Sequence, residues 1–89
     1  MTSLSLQNRK ALVTGGARGL GAGMAQALAR AGASVMIGDL LEDEGRAMAQ
    51  ALKAGGATAA FVPLDVTDEA QWLVAVDATL SELGGFDIL

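Results

Sequence analysis

Along the 89 residues, short apolar runs closed by a glycine or an acid alternate with longer segments whose apolar side chains return every three or four positions. Lys10 to Thr14 is the first run, and a brief apolar stretch ending at glycine suits a strand buried on both faces of a parallel sheet. From Gly19 onward Leu20, Met24, Leu28 and Ala31 recur at spacings of four, four and three. This predicts a helix with one apolar stripe, and Gly32 stands where a helix C-cap glycine belongs. Ser34 to Asp39 reads as a second strand. Glu42 to Ala54 is alanine-rich, carries acids in its first turn where they complement the helix dipole, and stops at Gly55-Gly56, which predicts a second helix. Thr58 to Leu64 is a third strand interrupted near its end by Pro63. Thr67 then caps a third helix, with Asp68 and Glu69 in the first turn and Leu73, Val76, Leu80 and Leu83 facing inward. Gly84-Gly85 stops that helix, and Phe86 to Leu89 begins a fourth strand.

Strand and helix therefore alternate through short connections, the pattern of successive right-handed βαβ units. The fold class this predicts is α/β, a doubly wound parallel sheet of the Rossmann type, of which the chain supplies the N-terminal βαβαβα portion. In that order the fourth strand lies beside the first, and the ligand crevice opens between them at the C-terminal ends of the strands. No internal repeat or linker divides the chain.

Composition narrows the chemistry. The net charge is −4 and the six Lys and Arg are scattered, which argues against a nucleic-acid surface. With no cysteine and no histidine, disulfides, thiolate nucleophiles, imidazole catalysis and the usual zinc sites are excluded within these residues, and no metal site is predicted. The N-terminus MTSLSLQNRK lacks the apolar core of a signal peptide. Nothing later approaches the ~18 consecutive apolar residues of a membrane span, so no membrane partner is expected and the cytoplasm is the default compartment.

The stretch TGGARGLG, Thr14 to Gly21, follows the first strand and opens the first helix. There Gly15 permits a tight turn, Gly21 lets the helix pack closely, and backbone N–H groups around Leu20 point at a space that suits a pyrophosphate. A P-loop requires Gly-Lys-Ser/Thr at the helix start, whereas this chain has Gly19-Leu20-Gly21. The G-x-G-x-x-G fingerprint fails at Met24. The pattern that matches in full is T-G-x-x-x-G-x-G, and with it the sequence resembles the short-chain dehydrogenase/reductase family. The resemblance runs through "LSLQNRKALVTGGARGLG", "GDL" at the end of the second strand, "LDVTDEAQW" at the third, and "GGFDIL" approaching the fourth. One departure is Asn8 where glycine is common; asparagine tolerates positive φ, so the turn should survive.

The resemblance implies roles residue by residue. Gly15, Arg18, Leu20 and Gly21 would form the pyrophosphate loop, with Arg18 near the phosphate and adenosine ribose or else simply solvated. Asp39 would accept the ribose hydroxyls, the alternative being a strand-end turn residue, and Leu40 would pack beside the adenine. Asp65, by its carboxylate, and Val66, by its backbone, would meet the adenine edge, with helix entry as the alternative for Asp65. Trp72 reads as packing. The implied cofactor is NAD in preference to NADP, because Asp39 would meet a 2′-phosphate and neither Gly38 nor Leu40 offers a cation, although Arg18 tempers this. The implied activity is hydride transfer with an alcohol or ketone substrate, in a homo-oligomer, by analogy a tetramer.

The family's proton chemistry relies on a tyrosine, a lysine, a serine and an asparagine. The chain has no tyrosine, lacks the family's Asn-Asn-Ala-Gly stretch, and places Lys10 and Lys53 on a strand start and a helix, so no catalytic residue is assigned. Residues 1–89 thus read as the N-terminal part of a single dinucleotide-binding domain, with Leu12 and Val13 of the first strand expected to lie poorly covered at an open edge. Two alternatives remain. One is a non-catalytic dinucleotide-binding module. The other is an S-adenosylmethionine methyltransferase, for which Gly19-Leu20-Gly21-Ala22-Gly23 supplies G-x-G-x-G but Ala17 stands where an acid is expected.

Overall fold

A computed structural model describes residues 6–87. The elements run β1 (Lys10–Thr14), α1 (Gly19–Arg30), β2 (Ser34–Asp39), α2 (Glu42–Ala54), β3 (Ala59–Pro63) and α3 (Glu69–Leu83). The strands form one parallel sheet in the order β1-β2-β3, with Lys10 beside Ser34 and Val35 beside Ala59. The fold is the Rossmann-like βαβαβα unit.

Strand residues alternate between two apolar layers. Val13, Val35 and Ile37 pack with Ala25 of α1 and with Ala49 and Leu52 of α2, while Leu12, Met36, Val62 and Leu64 pack on the other side with Ala75 and Leu83 of α3. Both faces are covered, which is why the strands read as continuous apolar runs.

The sheet edges differ. The bonds Ser34 N–H to the Arg9 carbonyl and Gly15 N–H to the Gly38 carbonyl turn the odd-numbered residues of β1 toward β2. On the opposite edge, Lys10 donates its N–H to Asp87 Oδ2 (2.9 Å) and accepts from the Asp87 N–H (2.8 Å). The run beginning at Phe86 therefore lies on the side of β1 away from β2, the place expected for a fourth strand; Ile88 and Leu89 lie outside the described residues. At the other edge, Pro63 falls at a position of β3 that faces away from β2, where a missing N–H costs no ladder bond and blunts the edge. Asn8, with φ of 70°, is the positive-φ turn residue before β1.

Four expectations are corrected. The stripe on α1 is only partly right: Leu28 packs half-buried against the core, but Leu20 and Met24 are exposed and the fully buried positions are Ala22 and Ala25. A Cβ on Gly21 would run into the Gly15 carbonyl, and that close approach sets the start of the helix down on the loop with Ala22 and Ala25 beneath it. On α3 the buried face is Ala75, Thr79 and Leu83, with Leu73 and Leu80 exposed. The cap of α3 is Asp68, whose Oδ1 accepts the Gln71 N–H at 3.2 Å, and not Thr67. Finally, Leu12 and Val13 are buried, because α3 with Phe86 covers one and the α1 side covers the other.

Candidate functional site

The glycine loop joins β1 to α1 with Gly15 at φ 66° and Gly19 at φ 63°, conformations that favour glycine. Gly16 is constrained from below, since a Cβ there would lie 3.0 Å from the Val13 carbonyl oxygen. Arg18 is the extended N-cap of α1; its side chain makes no capping bond and the first turn carries no acid. By contrast, α2 opens on Glu42, Asp43 and Glu44, and α3 on Glu69 behind its Asp68 cap. The first amides of α1 have no intrahelical acceptor, and its positive dipole end has no acid of its own to meet. That end is built to attract an anion.

Asp39 ends β2 directly across from the loop. Its Oδ2 accepts the Ala17 N–H at 3.1 Å and its Oδ1 accepts the Leu41 N–H at 3.0 Å, so the carboxylate ties the loop to the β2–α2 turn. Each oxygen keeps a lone pair for a further donor. Leu40 beside it is exposed. Arg18 leaves the loop toward α2, with its Nε 3.7 Å from Glu44 Oε2.

The third strand end adds the β3–α3 turn. Leu64 N–H donates to the Asp39 carbonyl at 3.1 Å, which sets this turn next to the end of β2. Asp65 Oδ1 accepts from both the Thr67 hydroxyl (2.7 Å) and the Thr67 N–H (2.9 Å). Those bonds, the hydroxyl first and the amide second, hold the Asp65 carboxyl below its ordinary range against a small opposing effect of burial. Asp65 thus shapes the helix entry, and its Oδ2 takes no part in that turn. The Val66 carbonyl accepts the Trp72 indole N–H at 2.7 Å, and Asp65 N–H donates to Gln71 Oε1 at 2.7 Å.

All eight residues singled out in the sequence, Gly15, Arg18, Leu20, Gly21, Asp39, Leu40, Asp65 and Val66, therefore sit at the C-terminal ends of the three strands. The sequence reading missed the amide of Ala17, the carboxylate of Glu44, and Trp72 and Gln71 as braces of the Val66 turn. Glu44 was hidden because the helix dipole already accounts for an acid in a first turn; the six-residue step from Val66 to the single tryptophan was the one available signal for Trp72. A cleft of about 650 Å³ lined by Arg30, Ser34, Gly55 and Thr58 lies at the opposite ends of the strands and includes none of the eight. Among the described residues no group of three acidic, histidine or cysteine side chains could hold a metal ion, and no helix is long and apolar enough to cross a membrane.

A parallel open sheet with a glycine loop at the end of its first strand and an acid at the end of its second defines a Rossmann-type nucleotide-binding unit. The sequence profile of the short chain dehydrogenase family matches residues 9–89, and the chain belongs to that family. It is 51% identical over 85 residues to trans-4-hydroxycyclohexanecarboxylate dehydrogenase of Sinomonas cyclohexanicum, covering 89% of this chain and 33% of the relative. It is 50% identical over 86 residues to galactitol 2-dehydrogenase of Agrobacterium fabrum, covering 97% and 32%. The crystal structure of a hydroxysteroid dehydrogenase from Escherichia coli superposes with a TM-score of 0.91 at 29% identity, over 94% of this chain and 35% of that one. The chain spans about a third of the length of these relatives.

Proposed function

We propose that the chain is the NAD-binding portion of an oxidoreductase that moves a hydride between a nicotinamide cofactor and a secondary alcohol or its ketone. The observation that carries this reading is the Asp39 carboxylate, fixed by the Ala17 and Leu41 amides beside a helix N-terminus that has neither an acid nor a side-chain cap. The amides around Leu20 would hold the pyrophosphate, and the close approach of Gly21 to the Gly15 carbonyl sets the loop against the helix start that carries them. Asp39 accepts ribose hydroxyls with its remaining lone pairs, and Leu40 flanks the adenine. Asp65, ionised throughout the neutral range, accepts from the adenine amine while the Val66 backbone meets the ring edge. When bound, the nicotinamide supplies the hydride acceptor. The chain's own residues bind and orient the adenosine half, and none of them is assigned the proton transfer. The names of the relatives quoted above are those of enzymes acting on hydroxycyclohexanecarboxylate and galactitol, which supports a secondary alcohol as substrate.

The preference for NAD follows from charge. At ~5 Å and an effective dielectric of ~20, a 2′-phosphate facing Asp39 meets roughly 3 kcal/mol of repulsion per unit charge, about a hundredfold in affinity. Solvent around a half-buried carboxylate reduces this, and at least about tenfold is expected at physiological salt. The test is kcat/KM for NAD and NADP with a ring-borne secondary alcohol, using the protein at its full natural length, alone and with Asp39→Ala plus Leu40→Arg. The double change should move the ratio toward NADP; equal use of the two cofactors by the parent would mean that Asp39 does not hold the ribose.

A further inference from the structure

Arg18 is the cation of the glycine loop and follows Ala17, whose amide bonds the Asp39 carboxylate proposed to hold the ribose, yet it is already engaged: its Nε lies 3.7 Å from Glu44 Oε2 on the first turn of α2. The next cation along α2, Arg46, is also engaged, with its Nη2 3.7 Å from Glu42 Oε1 and its guanidinium 5.1 Å from the Phe61 ring centre. Asp39 ties the same two segments together through the Ala17 and Leu41 amides, so Arg18 and Glu44 are carried toward each other by backbone that is fixed at both ends. Building on the proposed NAD site, we propose that Glu44 is a specificity-determining residue: it holds the Arg18 guanidinium on α2 and so withholds it from a cofactor 2′-phosphate. Asp39 repels that phosphate, and Glu44 removes the cation that would offset the repulsion. Both partners are largely exposed, so the pair is of the modest, salt-sensitive kind and does not hold the fold together. Its effect is felt as a choice between ligands.

Glu44→Gln leaves the length and helix propensity of the side chain nearly unchanged and frees Arg18. In the protein at its full natural length, Glu44→Gln should raise the NADP-to-NAD ratio of kcat/KM, and the affinity for 2′,5′-ADP relative to 5′-AMP by titration calorimetry, by roughly two- to fivefold at low salt. The gain should shrink toward nothing as salt approaches ~1 M. In an Arg18→Met background the same Glu44→Gln change should produce little or none of it. A Glu44→Gln effect of equal size with and without Arg18 overturns the proposal, because Glu44 would then act as a bare charge. No change in either ratio also overturns it. Those failures are separable from failure of the NAD reading, which shows in the parent: a parent that prefers NADP overturns both, whereas an NAD-preferring parent insensitive to Glu44 overturns this inference alone.

Discussion

Gly21 and Gly23 stand two positions apart on α1 and impose opposite demands. A Cβ on Gly21 meets the Gly15 carbonyl, backbone against backbone with nothing flexible to yield, while a Cβ on Gly23 meets nothing within 4 Å. Gly21→Ala should therefore destabilise by about 2 kcal/mol or more, the range for forcing atoms into a packed contact, and should push the loop amides away from a bound pyrophosphate. Gly23→Ala, in a helix interior with open space, should stabilise by up to ~1 kcal/mol. Urea unfolding of the two variants should give midpoint shifts of opposite sign. Equal shifts would mean that the loop does not pack against α1 as described. The motif pattern in the sequence identified Gly21 as the packing glycine, since its spacing from Gly15 and the preceding strand already implied a turn into a helix.

At the level of elements, the strands and α2 were legible and the faces of α1 and α3 were not. β1, β2 and α2 have the bounds that their apolar runs and terminal glycines predict. On α1 and α3, however, two stripes compete at the same period, and the larger side chains, Leu20 and Met24 or Leu73 and Leu80, belong to the outer one. Each helix is instead tied back to the loop before it by a contact six residues away, off the three-and-four spacing: Gly21 on Gly15 for α1, and for α3 the Trp72 indole on the Val66 carbonyl. Neither contact is visible in local periodicity. The brace predicts that Trp72→Phe, which keeps most of the packing and loses the N–H, costs about 1 kcal/mol and, on the proposed NAD site, weakens cofactor binding by loosening the Val66 turn. An unchanged dissociation constant would separate the turn from the proposed adenine site. The neighbouring Asp65 supplies a pH signature. Its folded pKa lies below the ordinary 3.8, so its stabilising effect is complete above about pH 5 and is lost as the pH falls through the lower folded value. Parent and Asp65→Asn should therefore differ in stability at pH 6, and the difference should close as the pH falls through the lowered folded pKa; a difference that persists at the acid end would assign it to packing.

At the level of the whole molecule, the question is where residues 1–89 expose apolar surface when they stand alone. An open β1 edge was expected to be the weak point, but Leu12 at 0% and Val13 at 7% exposure are covered by the helices and Phe86. Exposed apolar groups lie in the strand-end turns, with Leu40 at 67% and Val66 at 53%, and on the helices, with Leu20 at 83% on α1 and a cluster on α3 of Leu73 at 68%, Val74 at 60% and Leu80 at 48%. Leu73 and Leu80 are seven residues apart, two turns along one helix face, and patches of this kind drive association in water. Residues 1–89 on their own should therefore self-associate through α3. Sedimentation velocity should show concentration-dependent association that falls in the variant Leu73→Glu with Leu80→Lys, which leaves the buried Ala75, Thr79 and Leu83 in place. Undiminished association in that variant would return the weak point to the outer edge of β1, where Asp87 meets only Lys10 among the described residues of that strand.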